Sequence, residues 1–186
     1  MKYLIVGLGN IGAEYAHTRH NIGFLIADEL TKDSSVSFEK NTHAFIAKTT
    51  YKGRQLVVIK PTTYMNLSGK AINYWMQKEK VPVENVLVLV DDIALPFGTL
   101  RLRAKGSDGG HNGLRNIQEM LGHANYPRLR FGIGNNYNKG KQIDYVLGNW
   151  SHDELLLLPE RVGQAVTIIQ SFVSIGLQRT MNLTIQ

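Results

Sequence analysis

Residues 85–90, Asn-Val-Leu-Val-Leu-Val, are apolar at every position after the asparagine. Such a run is typical of a strand that is buried on both faces of a sheet, so we expect it near the sheet centre. Residues 2–6 form a second short apolar run that ends at Gly7. That pattern predicts a buried first strand entering a turn.

Strands alternate with helices along the rest of the chain. Further strands are predicted at 44–51, 54–60, 99–104 and 128–133, and helices at 22–30, 66–80, 112–121 and 151–176. Ser151 and Glu154 have the spacing of a capping box, and Asn66 or Ser68 is expected to cap the second helix. Pro159 is expected to interrupt the last helix. The alternation predicts a single-domain α/β fold with a twisted, mixed β-sheet flanked by helices.

Length and composition restrict the class of protein. The chain has 186 residues, 43% of them hydrophobic, which suits one domain spanning 1–186 with a packed core. It contains no cysteine, so disulfides, thiolate metal sites and a cysteine nucleophile are excluded. No apolar run approaches the roughly 20 residues that span a bilayer. We expect a soluble cytoplasmic protein.

The net charge of +6 is concentrated in one segment. Residues 97–141 contain eight basic side chains and only two acidic ones, Asp108 and Glu119. A local basic surplus is what a polyanionic partner requires, although it also fits a solvated basic face. The basic residues of this segment are Arg101, Arg103, Lys105, Arg115, Arg128, Arg130, Lys139 and Lys141.

Residues 7–12, Gly-Leu-Gly-Asn-Ile-Gly, match the G-x-G-x-x-G motif of dinucleotide-binding proteins. Two features of the context argue against this function. The residues after the motif have little helical pattern, and Asp28, at the spacing of a ribose-binding acid, lies in a predicted helix. A tight strand exit that needs positive φ would explain the glycines without a ligand. A nicotinamide-dependent oxidoreductase stays open as an alternative.

Polar side chains are concentrated where the predicted strands end. Asn10, Tyr15, His20 and Asn21 follow the first strand, and Asp91 follows the central strand. If these loops meet, a histidine can take a proton from water while a carboxylate holds its other nitrogen. Asparagine amides can stabilise a developing oxyanion. These are the parts for ester hydrolysis by activated water.

Several longer stretches resemble the bacterial peptidyl-tRNA hydrolase family. The matching residues are 7–10, 18–23, 60–69, 91–92, 95–98, 109–114, 128–130, 132–134 and 145–148. The resemblance spans nearly the whole chain. It implies a monomeric hydrolase, independent of metal and cofactor, that cleaves the ester between a peptide and the 3′ end of tRNA.

The resemblance also implies roles for individual residues. His20 matches the catalytic base, Asp91 its carboxylate partner, and Asn10 and Asn112 further catalytic amides. The substrate-binding set comprises Tyr15, Asn21, Met65, Asn66, His111 and Asn112, and the tRNA phosphate set comprises Arg103, Lys105 and Arg130. Backbone N–H groups within 109–113 are additional oxyanion donors to consider.

Two positions depart from the usual family pattern. Ile11 stands where the family usually has proline, and Ala94 where it often has an acid. Neither matches a catalytic position, so they affect loop detail. Besides the oxidoreductase, a non-catalytic RNA-binding protein remains an alternative.

Overall fold

The computed structural model describes residues 1–183, and the last three residues of the predicted domain, 184–186, lie outside it. Its strands and helices alternate along the chain as the sequence predicts. The strands are β1 (Lys2–Gly7), β2 (Glu39–Asn41), β3 (Ala44–Tyr51), β4 (Arg54–Pro61), β5 (Val86–Asp92), β6 (Leu100–Arg103) and β7 (Arg128–Gly132). The helices are α1 (Ile22–Thr31), α2 (Ser68–Glu79), α3 (Asn112–Leu121), α4 (Gln142–Val146), α5 (His152–Ile175) and α6 (Leu177–Leu183).

The described strands form one mixed sheet of seven strands in the order β2-β3-β4-β1-β5-β7-β6. β1 lies between β4 and β5 and is parallel to both, and β5 is parallel to β7. β2, β3 and β4 pair antiparallel with one another in sequence, as do β6 and β7. The predicted mixed sheet and the 44–60 hairpin are confirmed, and the apolar run at 85–90 is an internal strand beside β1.

Alternate residues of the parallel strands enter two separate cores. Ile5 and Leu89 pack on one face with Phe172 of α5, and Leu4 and Val88 pack on the other face with helices α2 and α3. Each fully buried aliphatic side chain stabilises the fold by about 1.5–3 kcal/mol relative to exposure. Because β4, β1, β5 and β7 run parallel, the polar groups that follow their carboxyl ends collect at one edge of the sheet.

β1 and α1 approach each other at two glycines. A Cβ at Gly7 would lie 2.2 Å from the backbone oxygen of Gly23, and a Cβ at Gly23 would lie 2.4 Å from the backbone nitrogen of Leu8. Both distances are shorter than any real carbon contact, so only glycine fits at either position. This close approach fixes the distance between the end of β1 and the first turn of α1.

Two of the sequence predictions concern helix α5. The capping box is confirmed, since Ser151 Oγ accepts from Glu154 N and Glu154 Oε1 accepts from Ser151 N. The interruption at Pro159 is wrong, because α5 continues through it. Pro159 is exposed, and on that side water can satisfy the carbonyl that loses its donor.

The predicted cap of α2 is also wrong. Neither Asn66 nor Ser68 caps the helix, because Ser68 is its first residue and Ser68 Oγ donates to Met65 O instead. The amide of Asn116 in α3 accepts from Gly69 N and serves this helix end from a neighbouring element. Within residues 1–183, no helix is both long and apolar enough to cross a membrane.

Candidate active site

His20 and Asp91 meet at the edge of the sheet where β5 ends. His20 lies in a 3-10 turn, Arg19–Asn21, that leads into α1. Its Nδ1 is 2.9 Å from Asp91 Oδ2 and 3.0 Å from Oδ1. Because Asp91 accepts from Nδ1–H, the lone pair of His20 lies on Nε2. This pair was predicted from the sequence, and the structure brings its two members into contact.

His111 is a second histidine on the same carboxylate. Its Nε2 is 2.9 Å from Asp91 Oδ1, and its Nδ1 accepts from Gly113 N and Leu114 N at the start of α3. Since Nδ1 faces two N–H donors, the ring proton must lie on Nε2 and donate to Asp91. Sequence reasoning assigned His111 only to the substrate-binding residues and missed this contact. Histidine is not a preferred N-cap residue, so no local pattern indicated it.

The charges of these three groups are coupled. Burial favours protonation of Asp91, but the two histidines outweigh it and hold the pKa of the carboxyl well below its usual range. Burial alone would lower the pKa of His20, and Asp91 overcomes this and raises it above the ordinary 6.5. A buried carboxylate with a low pKa stays ionised and can stabilise an imidazolium that forms beside it.

His20, Asp91 and His111 are residue types that bind metals, and their nearest ligand atoms all lie within 4.8 Å of one another. The hydrogen bonds of His111 argue against such a site. A metal ligand at Nε2 needs its lone pair, which would move the ring proton to Nδ1. Nδ1 cannot hold a proton while it faces Gly113 N and Leu114 N. The cluster therefore fits a hydrogen-bonded triad better than a metal centre.

The amide of Asn10 is oriented by the backbone around it. Asn10 Oδ1 accepts from Met65 N at 2.7 Å, which leaves the Nδ2 group as the part that can donate to a ligand. Asn21 is buried, and both of its amide atoms bond to the backbone of Asn10, at 2.9 and 2.8 Å. The geometry does not support a direct substrate contact by Asn21. Asn21 instead holds the backbone of Asn10 in place.

The other predicted substrate-binding residues lie in different surroundings. Asn112, the first residue of α3, lines a pocket of about 90 Å³ together with His20 and Asp91. Met65 is buried beside Gly113, while Asn66 is exposed and its side chain makes no hydrogen bond to the described residues. Tyr15 ends a separate 3-10 turn, Ala13–Tyr15, and is half-buried.

The backbone N–H groups expected as oxyanion donors are largely occupied. Gly113 N donates to His111, and Gly110 N donates to Asp108 Oδ1 at 2.8 Å. His111 N donates to the backbone oxygen of Asp108. These three groups cannot also bind an oxyanion, so side-chain amides are the better donors.

The pocket has two further sides. Asp92 and Arg130 form one side, and Arg130 Nη1 is 3.3 Å from Asp92 Oδ2. The other is the short helix α4, which contributes Gln142, Ile143 and Val146. At position 94, which departs from the family pattern, the backbone N–H donates to Asp92 Oδ1 at 2.8 Å, a bond that does not depend on the side chain.

The basic segment is not uniformly available to a polyanion. Arg128 is fully buried and donates to the backbone oxygens of three residues, so it adds nothing to the surface charge. Arg130 also donates to Ser107 O, and Arg103 Nη1 donates to Leu102 O. Lys105 is exposed. The arginines of this segment therefore hold backbone oxygens in place as well as adding positive charge.

The G-x-G-x-x-G stretch does not form a dinucleotide site. A three-residue 3-10 turn follows it instead of a helix, and Asp28, inside α1, pairs with Lys60 Nζ at 2.6 Å. Positive φ explains only Gly12, at 115°. Gly7 is required by its contact with α1, so the expected reason for the glycines was correct for one position and wrong for another.

Comparisons with known proteins identify relatives of the chain in both sequence and structure. A model of the peptidyl-tRNA hydrolase family matches residues 4–186. The chain is 56% identical over 182 residues to the peptidyl-tRNA hydrolase of Cytophaga hutchinsonii, covering 98% of this chain and 97% of that one. It is 58% identical to the Phocaeicola vulgatus protein of that name, with the same coverage. The crystal structure of Acinetobacter baumannii peptidyl-tRNA hydrolase superposes with a TM-score of 0.90 at 32% identity, covering 97% and 92% of the two chains. These relatives favour neither an oxidoreductase nor a non-catalytic RNA-binding protein.

Proposed function

Since the chain belongs to the peptidyl-tRNA hydrolase family, we propose that it cleaves the ester bond between an N-blocked peptide and the 3′ end of tRNA. The observation that carries the proposal is the contact between His20 and Asp91 at the pocket floor. Asp91 is buried and ionised, and His111 holds it from the other side. A histidine supported in this way can accept a proton from water.

The reaction starts with a water at His20 Nε2. As that water attacks the ester carbonyl, its proton moves to Nε2, and Asp91 stabilises the resulting imidazolium. The carbonyl oxygen becomes an oxyanion that needs donors. The Nδ2 groups of Asn10 and Asn112 fit this role, and one such donor contributes roughly 2.7–4 kcal/mol. The imidazolium then returns the proton to the ribose oxygen as it leaves.

Tyr15, Met65, Asn66 and His111 remain our proposed substrate-binding residues. An asparagine that pairs with the peptide carbonyl of the substrate would be left unpaired when a free aminoacyl group binds. An unpaired buried amide costs about 1–3 kcal/mol, which favours N-blocked substrates. For Asn21 the hydrogen bonds support an indirect role, since its amide holds the backbone of Asn10.

Arg103, Lys105 and Arg130 are proposed to attract tRNA phosphate. Lys105 is exposed, so it can approach a phosphate directly. Arg130 forms an ion pair with Asp92, so its guanidinium is not free. It contributes a local positive field at the pocket edge. Attraction to the backbone carries no sequence information, which suits a substrate class that includes many tRNAs.

We further propose that the chain acts as a single-domain monomer in the cytoplasm and needs neither metal nor cofactor. One sheet with a core on each face supports the single domain. The hydrogen bonds of His111 support chemistry that is independent of metal. Translation supplies the substrate in the cytoplasm.

The test is hydrolysis of N-acetyl-aminoacyl-tRNA by the pure protein, followed as release of tRNA. Unblocked aminoacyl-tRNA is the matched control substrate, and we expect it to react much more slowly. Addition of EDTA should leave the rate unchanged. Failure to release tRNA from the blocked substrate would overturn the proposal, and strong inhibition by EDTA would overturn its metal-independent form.

A further inference from the structure

Helix α4 forms one wall of the pocket and contacts the core through Tyr145 and Val146, with Tyr145 Oη donating to Ile133 O. It has five residues, none of them buried, and it follows the mostly exposed residues 135–141. Nevertheless Gln142, Ile143 and Val146 line the pocket. A short exposed helix is stabilised mainly by its tertiary contacts, so whatever fixes α4 also fixes the width of the cleft.

Arg19, the neighbour of His20, provides such contacts. Its backbone N–H donates to Gly148 O at 3.0 Å, and its Nη1 donates to Tyr145 O at 3.1 Å. Its guanidinium carbon lies 4.2 Å from the centre of the Tyr145 ring. Two segments that matched the family separately, 18–23 and 145–148, therefore meet at Arg19, through its backbone as well as its side chain.

The other end of the guanidinium is anchored at α5. Arg19 Nη2 is 3.1 Å from Glu154 Oε1, and that carboxylate also belongs to the capping box with Ser151. The side chains of Arg19 and Glu154 are only 12% and 15% exposed, so water screens their pair weakly. Arg19 Nε is buried without a hydrogen-bond partner among the described residues. Both Nη atoms of the same guanidinium form hydrogen bonds, so the position leaves one of its three nitrogens unsatisfied.

Gly148 leaves the space that the guanidinium occupies. A Cβ at this position would lie 3.0 Å from Arg19 Nη1 and 3.1 Å from Asp144 O. An alanine here would press on the guanidinium without changing any charge. Position 148 thus offers a second, independent way to disturb the same contact.

We propose that Arg19 is a positioning residue that fixes helix α4 against the His20 turn and so sets the width of the substrate cleft. The proposal rests on the proposed function. Since the side chain of Arg19 bonds to α4 and α5 and not to Asp91, it acts on substrate binding and leaves the proton transfer intact. This separates it from His111, which contacts the carboxylate itself.

The experiment compares Arg19→Lys and Gly148→Ala with the wild-type protein on N-acetyl-aminoacyl-tRNA. Lysine keeps the charge near Glu154 but cannot reach two acceptors in different directions. We expect each variant to raise KM about tenfold while kcat changes less than about twofold, because a loss of uniform binding affects KM alone. The double variant should resemble the single ones, since both changes break one contact. The acid limb of the pH–kcat profile should stay in place.

Arg54→Lys is the matched control. The guanidinium of Arg54 likewise bonds to two oxygens, in this case the backbone oxygens of Lys52 and Ser174, but it lies away from the cleft. We expect its KM to stay at the wild-type value even if the thermal midpoint falls. The affinity of each variant for the blocked substrate, measured with His20→Ala as background, checks KM without turnover.

The outcomes are distinguishable. If KM of both cleft variants stays at the wild-type value while only the thermal midpoint falls, Arg19 is merely structural and the inference fails. If kcat falls or the acid limb moves at constant KM, Arg19 acts on the base and the inference also fails. If the wild-type protein does not hydrolyse the substrate at all, the proposed function fails first.

Discussion

The carboxylate centre and the α4 wall face the same pocket but are built in opposite ways. At the centre, Asp91 is 4% exposed and bonded to His20 and His111. At the wall, no residue of α4 is buried, and Arg19 fixes the helix from one end. The chemistry is set in a buried, hydrogen-bonded cluster, whereas recognition is left to an exposed element. Changes at the centre should therefore affect kcat, and changes at the wall should affect KM.

His20→Ala is the strongest way to break the centre. Without the base, we expect kcat to fall by roughly 10²–10⁴-fold. Affinity for tRNA should persist, because the basic rim is unchanged. Single-turnover hydrolysis and a filter-binding titration measure the two quantities. A near-normal rate would show that another group activates the water.

Asp91→Asn tests how the centre tunes its base. Asp91 raises the pKa of His20, and without it burial alone acts and lowers that pKa. Because His20 works only when Nε2 is unprotonated, the acid limb of the wild-type kcat profile should lie above pH 6.5, and that of the variant below the wild-type position. We expect kcat on the plateau to fall by roughly 10²–10⁴-fold, since the tautomer is no longer fixed. An acid limb that does not move would contradict the assigned pair.

His111→Ala removes an N-cap acceptor as well as a partner of Asp91. Loss of an N-cap typically costs about 0.5–2 kcal/mol of unfolding free energy, and urea denaturation measures it. His123→Ala is a suitable control, because His123 Nδ1 also accepts a backbone N–H but in an exposed turn. Equal losses in the two variants would mean that the contact with Asp91 adds nothing to stability.

Stability should also depend on pH through the centre. The raised pKa of folded His20 gives stability that is fully present below its unfolded value near 6.5. That contribution is lost as the pH rises through the folded pKa. The urea midpoint of the wild-type protein should therefore decline through this range more than that of His20→Ala. Parallel declines would show that other groups dominate the linkage.

Lys105→Ala should have the smallest effect. We expect it to change neither kcat nor the contacts of helix α4. Removal of one phosphate contact reduces the slope of log affinity against log salt by about 1. Lys40→Ala, on the exposed edge strand β2, is the control and should leave the slope unchanged. If both variants behave alike, the tRNA backbone does not lie near residue 105.

The sequence predicted what depends on local patterns. The apolar run at 85–90 placed β5, and the Ser151–Glu154 spacing gave a capping box that the structure contains. Local patterns failed where another element supplies the partner. Asn116 of α3 serves the start of α2, so neither residue 66 nor residue 68 needed to cap it. A mid-helix proline is tolerated on an exposed face, which propensity alone does not reveal.

The site was predicted unevenly for the same reason. The resemblance identified His20 and Asp91, which the fold brings together from residues 71 apart in sequence. The second contact of Asp91 comes from His111 Nε2, in a ring whose other nitrogen caps α3, and no sequence spacing encodes that arrangement. The charge count included Arg128, but its guanidinium is used inside the protein to hold three backbone oxygens. Arg19 lies in the matching stretch 18–23, but no local pattern indicated its contacts, because its partners lie more than 120 residues away.

The close approach of Gly7 and Gly23 has a consequence for engineering this enzyme. The base sits three residues before Gly23, so even one added methyl group would wedge the helix away from the strand that underlies the catalytic edge. Random libraries that allow alanine at either position should lose active clones there as readily as at the base itself. Attempts to stabilise the protein by replacing glycines should therefore begin at Gly163 inside helix α5, where a new Cβ would meet no neighbouring atoms within 4 Å and alanine favours the helix.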